Sequence, residues 1–334
     1  MNTFKKIGLT ALAGSLVATS VFAGEMSVSG SAGITLANQD KTDKGNGFSM
    51  TDSITFAGSG EMDNGWTVSV SMELDDNASN SAATTNNMDS RSLTVDMGDM
   101  GSVTFAGHGG SSAFSAVDDV MPTAYGEAWD VLGTTTTGGT TGESTNVAVA
   151  KLGSIGGTTA NNMMSYNNSA LVDGVSVTAS YLPSNGTQVE SAISLAVAYT
   201  GVEGLTVGYA QDENGLAGTL GIDSTTMYAK YTYGPVTVGY QESETDASGT
   251  TNDDVFTAMG VTYAVNDSLS IGYTTSEYDD DDNTTDEEST SVNFSYTMGS
   301  MTLAGASVSV DNQGGSAATV NDVSGYALDL SFAF

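Results

Sequence analysis

Forty carboxylates, seven basic residues, one histidine and no cysteine narrow the chemistry open to this chain of 334 residues. Without cysteine there is no thiolate nucleophile, no zinc-binding CxxC and no disulfide. The one histidine, His108, has Ser111 and Ser112 as its nearby hydroxyls, but a nucleophilic serine needs a base that is itself oriented by a third group. A glycine-rich connector (Gly107, Gly109, Gly110) is a poor platform for that, so no enzyme is expected. No HExxH and no phosphate-cradling glycine motif occurs, and so acidic a chain does not bind nucleic acid. The acids themselves are grouped. Asp118, Asp119, Glu127 and Asp130 fall close together, with Glu143 further on, and a second set comprises Asp279, Asp280, Asp281, Asp282, Asp286, Glu287 and Glu288. Clustered carboxylate oxygens suit Ca²⁺, which would make a structural calcium the one cofactor to consider. The candidate for it is the second set, but that set has no fixed ligand register, and a solvated acidic loop is the favoured reading.

The elements that position these residues are strands. Tyr326, Leu328, Leu330, Phe332 and Phe334 share one parity at the very end of the chain, the signature of a half-buried strand. A last strand that ends in Phe resembles the assembly signal of outer-membrane β-barrels. At the other end, Lys5 and Lys6 precede an apolar stretch from Ile7 to Phe22, and Val21-Phe22-Ala23 suits cleavage after Ala23. Residues 1–23 therefore read as an export signal peptide, too short and too rich in Ala and Gly for a spanning helix. No apolar run of about 18 residues follows.

Alternating segments recur through residues 24–334, and sixteen can be counted. They include Met26–Leu36, Ile54–Met62, Trp66–Leu74, Leu93–Met97, Val103–Gly107, Asn162–Tyr166, Val175–Tyr181 and Ile193–Tyr199. The rest are Leu205–Tyr209, Met227–Tyr231, Val236–Tyr240, Val255–Tyr263, Leu269–Tyr273, Val292–Tyr296, Met301–Gly305 and the terminal strand. At Ala306, Val308 and Val310 the apolar parity switches, which predicts a bulge. Turns at Asn64-Gly65, Gly201–Gly204, Gly234-Pro235, Asn266-Asp267 and Met298-Gly299 are tight, whereas the alternate connections are long and polar. That asymmetry, with strand-closing tyrosines such as Tyr181, Tyr199, Tyr209, Tyr263 and Tyr273 as interfacial girdles, predicts an all-β protein: a transmembrane antiparallel β-barrel of sixteen strands. A soluble sandwich would leave its shared apolar face unexplained, and a solenoid would need a fixed short repeat. The connection from His108 to about Thr158 is far longer than its neighbours, and loops of that length are usually functional.

Three stretches resemble general Gram-negative porins. They are Ser59-Gly-Glu-Met-Asp-Asn-Gly-Trp66 leading to Glu73, Ser90-Arg91 through Gly107, and Asn162-Met-Met-Ser-Tyr166-Asn-Asn-Ser169 with Gly174 and Tyr181. The resemblance implies a homotrimeric, water-filled channel in the outer membrane of a Gram-negative bacterium. Small hydrophilic solutes would pass by diffusion, and the third loop, residues 108–158, would fold into the lumen as an eyelet. It also implies lipid and lipopolysaccharide around the barrel, and assembly machinery that reads the last strand. In that family acidic loop residues face basic residues on the opposing wall. Here five basic residues remain after the signal (Lys41, Lys44, Arg91, Lys151 and Lys230) against forty acids, so the second half of the arrangement is missing. A single sign of charge in a low-dielectric bore concentrates counter-ions, and the expectation is cation selectivity. The expected constriction residues are Asp118, Asp119, Glu127 and Asp130, with Glu73, Arg91 and His108 on the wall. His108 stands where the family commonly has Arg, so it is either a titratable cation of the eyelet or a neutral, hydrogen-bonded ring at a strand end. The alternative reading is a substrate-specific channel for cationic or sugar solutes, with Tyr125 and Trp129 in the long loop as the obvious rings to stack a sugar.

Overall fold

The computed structural model describes residues 24–39, 47–75, 88–131, 155–184, 191–214, 222–247, 253–281, 283–315 and 322–334. The proposed signal segment and Glu143 lie outside them. Sixteen strands close into one antiparallel barrel. The first five are β1 (Glu25–Gln39), β2 (Gly47–Glu61), β3 (Thr67–Asp75), β4 (Met88–Asp96) and β5 (Ser102–His108). After the long loop come β8 (Met163–Val172), β9 (Val175–Leu182), β10 (Ala192–Val202), β11 (Leu205–Asn214), β12 (Ile222–Tyr233) and β13 (Val236–Ala247). The last are β14 (Asp253–Ala264), β15 (Leu269–Asp279), β16 (Glu287–Met298), β17 (Met301–Asp311) and β18 (Val323–Ala333). Two short segments, β6 (Gly110–Ser111) and β7 (Thr159–Ala160), pair with each other at the neck of the long loop.

Alternation decides which side of the wall each residue faces. Ile193, Leu195 and Val197 on β10 are exposed while Ala192, Ser194 and Ala196 between them are buried, so the exposed face is apolar and the enclosed face small or polar. That inversion of a soluble protein's pattern is what a lipid-facing barrel requires. No helix among the described residues is long and apolar enough to cross a membrane; the chain crosses with strands. Closure removes the open edges that such strands would otherwise present. The terminal residue takes part, since Phe334 exchanges two backbone hydrogen bonds of 2.9 Å with Gly30. Tight turns join strand pairs at one rim, and Gly234 and Gly299 adopt φ of 58° and 64° there, a region open to glycine at little cost.

Two sequence expectations change. β17 pairs with both neighbours in unbroken register from Met301 to Val310, so there is no bulge. Ala306, Val308 and Val310 are inward-facing residues 6%, 2% and 0% exposed; the parity switch marks a second apolar surface inside the barrel. Several strands also run beyond the apolar period on the long-loop side. β13 continues through Glu242, Glu244 and Asp246, and β15 through Glu277 and Asp279. Apolar alternation stops where lipid stops, whereas backbone pairing has no such reason to end.

Candidate functional site: the inlaid loop and its bore

The described residues of the connection between β5 and β8, up to 131 and again from 155, turn inward and lie along the inner wall. Its attachment is a series of hydrogen bonds from loop backbone to inward side chains of successive strands. Ala113 N–H donates to Ser180 Oγ on β9 (3.0 Å), Phe114 N–H to Ser194 Oγ on β10 (2.8 Å), and Thr158 N–H to Asp212 Oδ2 on β11 (2.7 Å). Gln241 on β13 donates through Nε2 to the carbonyls of Val117 and Asp118. Further along, Ala128 N–H donates to Thr274 Oγ1 on β15 (3.0 Å) and Ala124 N–H to Asn293 Oδ1 on β16 (2.9 Å). The N–H groups of Ala113, Phe114 and Ala128 are buried donors that would otherwise lack partners, so each of those contacts removes a desolvation penalty as well as adding a bond.

Apolar packing fills the space between. Phe114, Val117, Met121, Ala128, Trp129, Val131 and Ile155 from the loop join Tyr228, Phe256, Val308 and Val310 from the wall in one buried cluster. Trp129 stands edge-on to Phe256, with ring centroids 5.1 Å apart and planes at 83°. The loop can approach this closely because the wall is glycine at the contact. A Cβ on Gly239 would come within 2.5 Å of Pro122 Cδ, and one on Gly260 within 2.6 Å of Pro122 O. On the next strand a Cβ at Gly272 would lie 3.0 Å from Ala124 N.

This strap carries the acids into the bore. Carboxylate oxygens of Asp119, Glu127 and Asp130 lie within 4.8 Å of one another, with Asp119 and Asp130 exposed and Glu127 half-buried. Three carboxylates so close cannot all ionise freely. Enclosure within the barrel raises Asp119 first, and the charges of Asp130 and Glu127 add to it. The same enclosure, followed by the Asp130 charge, lifts Glu127 to about 7. Asp119 and Asp130 also hydrogen-bond to each other, which requires a proton between them. Asp118 is set apart: its Oδ2 accepts the Gly157 N–H at 2.8 Å. Enclosure raises it too, against that hydrogen bond.

The wall residues divide. Glu73 faces the lumen from β3, where its Oε2 accepts Ser90 Oγ–H at 3.3 Å. β3 lies eight places round the ring from β13 and thus across the bore from the loop. Arg91 does not enter the bore. It pairs opposite Met72, and directly opposed residues share a face, which here is the outward one with Val70 and Leu74. His108 pairs opposite Arg91 across an irregularity in the β4–β5 register, which carries it to the same side, and its Nδ1 meets the Asp89 carbonyl. The basic side chain facing the bore among the described residues is Lys230 on β12, which sequence reasoning left out. Its Nζ lies 5.7 Å from the Tyr228 ring centroid, and its charge reaches Glu127. Inward parity with Ser224, Thr226 and Tyr228 was the available signal.

Neither Tyr125 nor Trp129 is free to stack a solute: Trp129 is 6% exposed and Tyr125 packs against the buried cluster. No three of the described outer acids from Asp279 to Glu288 bring their oxygens close together. Asp281 accepts the Asp253 N–H and Glu287 accepts the Gly314 N–H, Glu288 faces outward opposite Glu277, and Asp282 lies outside the described residues. Among those residues, Asp119, Glu127 and Asp130 are the one group of three whose oxygens gather closely enough to share an ion.

A profile of the family described as Gram-negative porin matches residues 8–325. The chain belongs to that family. Its place is the outer membrane, and its architecture is that of a diffusion channel. The fold is similar to that of Salmonella typhi OmpF in complex with daunomycin, at 16% identity and a TM-score of 0.66, covering 93% of this chain and 98% of that one. It is also similar to OmpT, an outer membrane protein of Vibrio cholerae, in its trimer form (15%, TM-score 0.64, 93% and 100%). A third likeness is to a porin refined at 1.8 Å (18%, TM-score 0.63, 93% and 100%). No curated protein sequence matches the chain.

Proposed function

We propose that the protein is a homotrimeric, cation-preferring porin that passes small hydrophilic solutes by diffusion, without catalysis, after removal of residues 1–23. The observation that carries the preference is the carboxylate group formed by Asp119, Glu127 and Asp130 on a loop held inside the bore. Glu73 faces it from the far wall, Asp329 adds another inward acid at the β1–β18 seam, and Lys230 alone offsets them among the described residues. In low-dielectric walls such a field draws cations in and repels anions, most strongly at the narrowest point where bulk salt screens least. The trimer form of one similar structure supports the oligomer. Surrounding lipid and lipopolysaccharide, and recognition of the last strand by assembly machinery, complete the reading. The burial of Trp129 argues against a stacked sugar path; a preference for small amines would follow from the same acids.

Liposome swelling tests this with solutes matched in size and differing in charge. Cationic amines should enter faster than neutral sugars, and neutral sugars faster than carboxylates. Equal rates for all three, or faster entry of the anions, would refute the preference while leaving the channel in place.

A further inference from the structure

One buried acid is only half satisfied. Asp212 points inward from β11 and is 4% exposed. Its Oδ2 accepts the Thr158 N–H at 2.7 Å and the Ser112 hydroxyl at 3.4 Å. Its Oδ1 is buried too, and meets no hydrogen-bond donor. A carboxylate oxygen shut away from water with no partner is among the costlier defects a fold can keep, and calls for a ligand that offsets it.

A second carboxylate lies beside it. Asp118 Oδ2 accepts the Gly157 N–H at 2.8 Å, so the two acids hold successive amides and flank a single peptide unit. Enclosure first, then the charges of Asp130 and Asp212, raises the Asp118 carboxyl, so the two acids sense each other. Two hydroxyls crowd the same place. A Cβ on Gly157 would come within 2.5 Å of Ser115 Oγ and 2.6 Å of Ser112 Oγ, and those two oxygens are 3.3 Å apart. Lys230, the basic side chain facing the bore among the described residues, acts on Glu127 instead. Two carboxylates and two hydroxyls, with neither thiol nor imidazole, form a set for a hard divalent cation. Ca²⁺ accepts such oxygens in irregular geometry, whereas Mg²⁺ demands a near-ideal octahedron.

We propose that Ca²⁺ binds between Asp212 and Asp118, taking Oδ1 of Asp212 as one ligand and drawing others from the Asp118 carboxylate and the Ser112 and Ser115 hydroxyls. The ion supplies the partner that Asp212 lacks and neutralises two charges that the fold has brought together. It also joins three pieces of chain: β11, the limb of the loop that enters the bore (residues 112–118) and the limb that returns to the wall (residues 157–158). The loop is thus latched by a cation separate from any that meets Asp119, Glu127 and Asp130.

The test is hydrogen exchange at residues 112–118 and 157–158 of the detergent-folded mature protein, stripped with EDTA and then titrated with CaCl₂. It is run in the triple variant Asp119→Asn, Glu127→Gln, Asp130→Asn, so that the acids of the open bore cannot supply the response. At about ten times the midpoint concentration of Ca²⁺, exchange there should slow about tenfold, because only the closed loop holds the ion. Adding Asp212→Asn or Asp118→Asn should abolish the slowing, and the heat-modifiable shift of the barrel on a gel reports folding in each. Should Asp212→Asn fail to fold, Asp118→Asn decides alone. Exchange indifferent to Ca²⁺, slowing that survives in a folded variant, or equal slowing in NaCl of matched ionic strength would overturn the site.

Discussion

Gly239 and Gly260 face each other across one rung between β13 and β14, and Pro122 of the long loop lies against both. The loop is therefore seated in a furrow of the wall and not merely hung across the bore. Gly260→Val would fill that furrow and force the loop inward or loose. Overpacking of this kind costs about 1–3 kcal/mol, which should appear as a lower melting temperature for the folded barrel and as a single-channel conductance different from the wild type. An unchanged conductance would show that the loop does not depend on this seat.

Asp212 is 4% exposed, and its Oδ2 takes the Thr158 N–H at 2.7 Å and the Ser112 hydroxyl at 3.4 Å, tying both stems of the loop to β11. Asp212→Leu removes that acceptor and leaves Thr158 N–H unsatisfied, a loss of about 1–3 kcal/mol for a buried group. Hydrogen exchange should rise at residues 157–160 while the strands of the barrel keep their protection. Exchange rising equally through β10–β12 would mean that Asp212 supports the wall and not the loop.

Much of this architecture was legible because one rule governs it. Residues on the lipid side are nearly all apolar, so parity marked the strands. The loop's docking was hidden for the converse reason. Ser180, Ser194, Thr274 and Asn293 look like any lumen-facing polar residues, and nothing local distinguishes those that meet the loop. The carboxylates were found from their grouping, since loop acids gather where the loop enters the bore. Arg91 was placed in the eyelet by resemblance although it shares parity with Leu93 and Val95, a signal that pointed outward. His108 is a different case: only the register shift beside Arg91 turns it, and no pattern in the sequence announces that shift. Val308 and Val310 suggested a bulge because an apolar inner surface is not expected of a water-filled barrel until a loop is known to cover it.

Glu127 links acidity to selectivity. Its carboxyl is lifted from the ordinary 4.5 to about 7, by enclosure first and the Asp130 charge second. A raised carboxyl is protonated below that value, so the negative charge of the group falls as pH falls through neutrality. The K⁺/Cl⁻ permeability ratio should therefore decline between pH 8 and pH 6. Stability runs the other way: the contribution of Glu127 is full below 4.5 and lost as pH rises towards 7. The triple variant Asp119→Asn, Glu127→Gln, Asp130→Asn should flatten the permeability response, and His108→Ala should leave it in place. A response removed by His108→Ala would relocate the titrating group.

Trp129 closes the apolar cluster beneath the loop through its edge contact with Phe256. Replacing a buried Trp by Ala typically costs about 3–5 kcal/mol. Trp129→Ala should lower the melting temperature and increase current noise in the open channel as the loop loosens. Uptake of neutral sugars should keep its relative order. Selective loss of one sugar would instead point to a stacking role for the ring.

The proposed cation preference requires an electronegative, water-filled bore. Reversal potential across a planar bilayer under a KCl gradient measures it directly at neutral pH and low salt, with the purified mature protein. A potential of the sign set by K⁺, diminished in the triple variant, is the predicted result. A potential set by Cl⁻, or the absence of any conductance, would contradict the account.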